Sequence, residues 1–252
     1  MDVTVIGLLA ITAFFAGTVD AIAGGGGLIT LPALLAAGLP PHLALGTNKG
    51  QSVWGSGSAL FTFWRAGRVD PKEATFTFPL ALIGSAIGAQ LVLLVAPATL
   101  RPVVIAMLIG AAALLMVKKP TRDDDEPPGD RALRYLVLAG VLAFVIGAYD
   151  GFFGPGTGTF LIVGFVALCG KSMTRATADA KVVNFASNIA SLMSFAIAGT
   201  VRWELALPMA VGQLAGGLVG ARLAIRGGAK LIRIMVLVVS AALVGKLIYD
   251  LV

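Results

Sequence analysis

The chain has 252 residues, 58% hydrophobic and 13% charged, with a formal net charge of +6 and a mean hydropathy of +0.92. A soluble domain is nearer half apolar and a quarter charged, so too little polar sequence is present to cover a water-facing surface. The basic excess sits in short loops between apolar runs, which is the pattern of cytoplasmic membrane loops and not of a nucleic-acid surface.

Apolar runs of about 20 residues recur along the whole length and read as a polytopic helical membrane protein. The first runs from Val3 to Ile22. Met1-Asp2-Val3 lacks the positive region of a cleavable signal, so this span is expected to stay in the protein. Four glycines, Gly24 to Gly27, follow it, and then a short apolar run, Leu28 to Ala37. Non-helical backbone at membrane depth survives only when buried in protein or lining a wet cavity. Glycine lets a ligand or a helix approach the main chain closely. The start of the next helix offers free N–H groups and a positive dipole end, which favour an anion. A tight turn packed on glycine is the plainer alternative. Asp20, just before the break, could bind a coupling proton, pair with a lysine or cap the hairpin.

Three further spans are expected in this half: Leu43 to Trp64, Ala74 to Val95 and Thr99 to Val117. In "GTNKGQSVWGS" Lys49, Ser52 and Ser56 share one helical face. A lysine about two turns inside an apolar span is expensive and points to function. Snorkelling of the lysine, with the hydroxyls as interhelical glue, is the structural alternative. Gly84 and Gly88 form a small-xxx-small pattern that close helix packing explains.

The segment Lys118 to Arg134 is the one clearly polar stretch, and it divides the chain into a first membrane unit 1–117, a linker 118–131 and a second unit 132–252. The halves resemble each other. At an offset of 130, Gly17, Asp20, Gly24 and Gly26 fall on Gly147, Asp150, Gly154 and Gly156. At an offset of 132, Lys49, Ser52 and Ser56 fall on Lys181, Asn184 and Asn188. Chance apolar similarity does not explain matched Asp, Lys and Gly in order, so the halves read as a repeat. The second half then has a span Leu133 to Phe153, a short run Thr159 to Cys169, and spans Thr174 to Ala198, Glu204 to Ile225 and Ala229 to Asp250. "GPGTGT" adds hydroxyls at Thr157 and Thr159 beside Gly156.

The basic loops at Arg65 to Lys72, the linker, Lys171 with Arg175, and Arg222 to Arg233 can share the cytoplasmic side only if each glycine-broken unit enters and returns on one side. Each half then makes three crossings plus one hairpin, and an odd number inverts the second copy. Inverted repeats with broken helices are a transporter design, with the site near the midplane. A short arm of about eleven residues rises only about 16 Å, so whether it spans stays open. The expected fold is all-α: a membrane helical bundle of two inverted repeats, each a Gly-broken hairpin plus three transmembrane helices.

Other chemistries lack their parts. "GFVALCGKS" misses a glycine at Phe165 and is not a phosphate-binding loop. His42 is the only histidine and Cys169 the only cysteine, which leaves no His-based metal site and no intramolecular disulfide.

"AGTVDAIAGGGGLITLPALLAAG", "GTNK", "YDGFFGPGTGTF", "ATADAKVVNFASNIAS" and "VGQLAGGLVGARL" resemble the TauE/SafE sulfite-exporter family of membrane permeases over nearly the whole chain. The resemblance implies an anion permease of the bacterial inner membrane, associated with sulfite, sulfonates or other small organosulfur anions and often working outward. The expectation is therefore a secondary transporter, not an enzyme, with no cofactor and no metal. Its substrate-binding set is Gly25, Gly26, Gly27, Asn48, Lys49, Ser52, Gly156, Thr157, Lys181, Asn184 and Asn188, with Asp20 and Asp150 in ion pairs or proton coupling. Expected partners are a small anion, the bilayer, a coupling proton or sodium ion and a second copy in a homodimer. A passive anion channel, or a permease for another small organic anion, is the alternative.

Overall fold

Among the described residues every element is an α-helix, as long apolar segments require where no water can satisfy the backbone. The structure, a computed structural model, describes residues 2–96, 98–99 and 132–251. The expected span Thr99 to Val117, after its first residue, and the linker 118–131 lie outside the described residues.

Helix α1 spans Val3–Ala23 and α2 Gly27–Ala36. Then come α3, Pro41–Arg65, and α4, Pro71–Leu93. In the second half α5 spans Ala132–Phe152, α6 Thr157–Cys169, α7 Met173–Ile197 and α8 Trp203–Leu251. The two spans expected at the C-terminal end meet here: α8 is parted into two helical stretches at Gly228, whose φ of 58° and ψ of −158° are not helical, between Ile225 and Ala229 where the sequence puts the boundary. Five described helices are long and apolar enough to cross a membrane, at Val3–Ala23, Pro71–Leu93, Tyr135–Phe152, Met173–Ile197 and Trp203–Val238. Helix α3 has 25 residues, enough to cross at about 1.5 Å per residue. It is not among the five because its middle is a buried polar run, Thr47 to Gln51.

The burial pattern is inside-out relative to a soluble protein. Ile83, Ile87 and Leu91 on α4, and Val137, Val141 and Val145 on α5, are exposed rows at helical spacing. Lys49, Lys181, Asp150, Asn184 and Asn188 are buried. Lipid solvates the first set, and packing among helices must satisfy the second.

The small-residue patterns set the helix contacts. A Cβ on Gly212, Gly216 or Gly220 of α8 would overlap the carbonyls of Ala10, Phe14 or Thr18 on α1. A Cβ on Gly84 or Gly88 of α4 would overlap those of Phe144 or Ala148 on α5. The first helix of each half therefore packs backbone to backbone on a long helix of the other half. Helices α3 and α7 run antiparallel: Gly46 faces Thr200 beyond the end of α7, while Gly57 faces Phe185 near its middle. One apolar cluster gathers Phe63, Ala74 and Met173, and another gathers Leu45, Val92, Phe195 and Leu205. The polar stretches of α3 and α7 lie between these clusters along the helix axes.

Candidate functional site

The site begins with the breaks. Helix α1 ends at Gly24, left-handed at φ 81°, whose N–H donates to Asp20 O. In the second half Gly154 and Gly156 are left-handed, at φ 95° and 85°, a conformation that L side chains rarely adopt. The two breaks touch. A Cβ on Gly24 would overlap the backbone of Gly158, and a Cβ on Gly158 that of Gly24. Thr159 Oγ1 ties them by donating to Ala23 O at 2.7 Å. The glycines thus serve close backbone approach between the halves, and they leave a polar cavity beside it.

That cavity is lined by Gly26, Gly27, Asn48, Lys49 and Ser52 from the first half and by Thr157, Asn184 and Asn188 from the second, with Asp20 and Asp150. Gly25, Gly156 and Lys181 lie outside this lining, while Gly24, Gly154, Gly158 and Gln213 belong to it. Its volume is about 20 Å³, room for about one water.

Two ion pairs flank it. Lys49 Nζ lies 2.9 Å from Asp150 Oδ1, both side chains almost wholly buried. Lys181 Nζ lies 3.3 Å from Asp20 Oδ2 and also donates to Asp20 O. The matched Asp and Lys positions therefore pair crosswise, each lysine with the aspartate of the other half. Gly154 makes room for the first pair, since its Cβ would stand about 3 Å from both Lys49 Nζ and Asp150 Oδ1. The acids also take the donors at the breaks. Gly26 N–H donates to Asp20 Oδ1 at 3.3 Å, and Thr157 Oγ1 donates to Asp150 Oδ1 at 2.8 Å.

The amides are oriented by the lysine. Lys49 Nζ can only donate, so the Asn188 atom 3.1 Å from it is the carbonyl oxygen. Asn188 Nδ2 then donates to Asn184 Oδ1 at 3.0 Å and to Ser56 Oγ at 3.3 Å. With its oxygen engaged, Asn184 is left with its NH2 group, which has no partner among the described residues and borders the cavity. Asn48 Oδ1 accepts from Thr30 Oγ1 at 2.6 Å and from Gln51 Nε2 at 2.9 Å. Its Nδ2 likewise borders the space next to Gly27.

The description sulfite exporter TauE/SafE matches residues 9–247. The chain belongs to the TauE/SafE sulfite exporter family. It is 42% identical over 245 residues to the probable membrane transporter protein YfcA of Escherichia coli K12, covering 97% of this chain and 90% of that one. It is 41% identical over 245 residues to the probable membrane transporter protein ORF9 of a Sinorhizobium species, covering 96% and 92%. A probable membrane transporter protein of Haemophilus influenzae is 38% identical over 250 residues, covering 99% and 97%. No solved structure matches. The chain is thus a multi-pass membrane transporter of the TauE/SafE family, with a small substrate and a bilayer as its surroundings.

Two features of this TauE/SafE chain were not singled out from the sequence. Gln213 on α8 is buried and lines the cavity, its side chain crossing over Gly17 and Gly55, where a Cβ would overlap it. Its place in "AVGQLAGG" reads as one polar residue among apolar ones, and only the glycines opposite it, far away in sequence, mark its direction. The second feature is Lys171, which reads as a loop charge but is buried. It pairs with Glu73 Oε1 at 2.6 Å and with Asp179, lies 4.5 Å from the Phe165 ring centroid, and joins the α6–α7 turn to α4 and α7. Among the described residues no group of three or more His, Cys, Asp or Glu could hold a metal ion.

Proposed function

We propose that this chain is a secondary transporter that carries small sulfur-containing oxoanions, such as sulfite or organosulfonates, outward across the bacterial inner membrane. In this reading 1–117 and 132–252 are inverted repeats joined by a cytoplasmic linker 118–131. The antiparallel course of α3 and α7, whose lysines occupy matched positions, and the crosswise Lys–Asp pairing support it. The anion binds near mid-membrane beside Lys49, with Asn48 and Asn184 as hydrogen-bond donors and the break at Gly26 and Gly27 next to it.

The observation that carries the reading is the Lys49–Asn188–Asn184 chain. A cation fixes two amides in series so that an NH2 group, and not a carbonyl, is presented to the cavity. A buried donor beside a lysine suits an oxoanion. A space for about one water, flanked by two ion pairs, fits a carrier whose site is contracted between substrates. A channel needs a continuous wet path. Binding parts the halves and lets Lys49 exchange Asp150 for the substrate, and rocking of one repeat against the other alternates access.

The test is the thermal stability of detergent-purified protein across sulfite, sulfate, thiosulfate, sulfoacetate, taurine, phosphate and acetate, for wild type and Lys49→Gln. A ligand at 100 times its Kd adds about 2.7 kcal/mol. Stabilisation by one sulfur oxoanion, lost in Lys49→Gln, is the expected result. A flat response in wild type, or an equal response in the variant, would remove the assignment.

A further inference from the structure

The cavity and the two pairs that flank it hold two lysines and two aspartates, so their charges sum to zero. An anion added beside Lys49 leaves one uncompensated negative charge in a buried cluster, an expensive state unless a positive charge arrives with it. Building on the anion site proposed above, we infer that the anion crosses with one proton and that Asp150, not Asp20, is the carboxylate that takes it.

The two aspartates occupy matched sequence positions but have unlike partners. Besides Lys49, Asp150 receives two hydroxyls: Thr157 Oγ1 donates to Oδ1 at 2.8 Å, and Ser187 Oγ donates to Oδ2. Each hydroxyl has a second acceptor within reach. Thr157 Oγ1 is 2.5 Å from Gly154 O, and Ser187 Oγ is 3.0 Å from Asn184 O. Either can turn its hydrogen to that carbonyl and accept one from a protonated carboxyl through its lone pairs. Asp150 can therefore be neutral without leaving a buried polar atom orphaned, and Lys49 is then free to hold the anion. Asp20 receives the Lys181 ammonium at 3.3 Å and the Gly26 N–H at 3.3 Å. Both are donors only, so neither can accept from a protonated carboxyl. Asp20–Lys181 stays ionic while Asp150–Lys49 opens.

The groups facing Asp150 are few. Helix α3 contributes Lys49, and the Asp20–Lys181 pair on α1 and α7 is the next charge. On its own helix Tyr149 is already engaged, its hydroxyl donating to Pro155 O at 2.7 Å. From α4, Ser85 donates to Ser187 O at 2.6 Å. Thr157 is the contribution of α6, and the cavity residue of α8 is the neutral Gln213. The proton is taken from water on the side to which the site is open and is released with the anion on the other.

Calorimetry of the full chain in detergent tests this, with thiosulfate, methanesulfonate and sulfoacetate as probes. All three are fully ionised near neutral pH and bring no proton of their own. Titrations in two buffers of different ionisation enthalpy read the protons taken up per anion bound. Wild type is expected to take up about one proton per methanesulfonate, a monoanion, and at least one per thiosulfate or sulfoacetate, which are dianions, with methanesulfonate affinity rising about tenfold for each unit fall in pH. Asp150→Asn is expected to take up none, and its affinity to stop following pH. Binding without proton uptake in wild type overturns the proposal and leaves the anion site standing. Uptake that persists in Asp150→Asn overturns the assignment to Asp150. No binding by any of the three overturns the anion site and this proposal with it. If Asp150→Asn does not fold, the double variant Thr157→Val/Ser187→Ala keeps the carboxylate but removes both reversible partners. It is expected to take up less than half as many protons at the same pH, and unchanged uptake counts against the mechanism.

Discussion

Replacing Lys49 by Met removes the ammonium but keeps most of the apolar stem, so the change isolates the charge. Asp150 Oδ1 loses its partner at 2.9 Å, and only 3% of the Asp150 side chain is exposed to anything that could replace it. Removing one member of a buried pair costs about 3–5 kcal/mol. Thr157 and Ser187 still donate to the carboxylate, which puts the expected loss at the lower end, about 3 kcal/mol. Asp150→Asn leaves Lys49 with Asn188 Oδ1 at 3.1 Å and should lose a similar amount. The double variant Lys49→Met/Asp150→Asn buries no unpaired charge from this pair. It should be more stable than the two single losses imply, by at least about 2 kcal/mol of coupling. Denaturant unfolding of the four proteins in one detergent measures the cycle. Single losses that add to the double loss within about 0.5 kcal/mol would show that the two charges do not act as a pair, and the argument from a charge-closed site would fall.

Gly158→Ala should prevent the contact between the two breaks, because its Cβ overlaps the Gly24 backbone. A loss of about 3 kcal/mol or more is expected, read as collapse of the monodisperse fraction on size exclusion, and a normal melting curve would contradict the packing. Asn184→Asp turns the donor beside the cavity into an acceptor. It should weaken binding of the best sulfur oxoanion about 10- to 100-fold, the worth of a hydrogen bond to a charged group. Because Asn184→Asp also adds a negative charge, Asn184→Ala is the cleaner variant: it should still bind more weakly than wild type, and unchanged affinity in calorimetry would reject the amide orientation. Lys171→Met takes the ammonium from Glu73 and Asp179, leaving them the Tyr135 hydroxyl and the Asp70 N–H, and should destabilise the fold by about 3 kcal/mol. Its anion affinity should stay within about twofold of wild type, since Lys171 is not in the cavity lining.

Much of the helix layout was legible in the residue pattern, because length and apolar character report directly on what a bilayer accepts. The glycine breaks stood out for the same reason, since irregular backbone is costly at that depth. The polar faces of α3 and α7 followed from helical spacing alone, and these faces line the cavity through Lys49, Ser52, Asn184 and Asn188. The expected boundary between the last two spans, Ile225 to Ala229, contains the one non-helical residue within α8, Gly228.

What the sequence by itself determined is the membrane class, the two matched halves and which face of each helix is polar. Those properties depend on residues a few positions apart. The tertiary structure alone decided what each polar group meets. Lys49 takes Asp150 and Lys181 takes Asp20, Gly24 lies on Gly158, and Lys171 is drawn inside between Glu73 and Asp179. Periodicity defines a direction around one helix axis but carries no information about the neighbour in that direction. In a buried, low-dielectric site the neighbour decides whether a lysine is a free cation or half of a neutral pair.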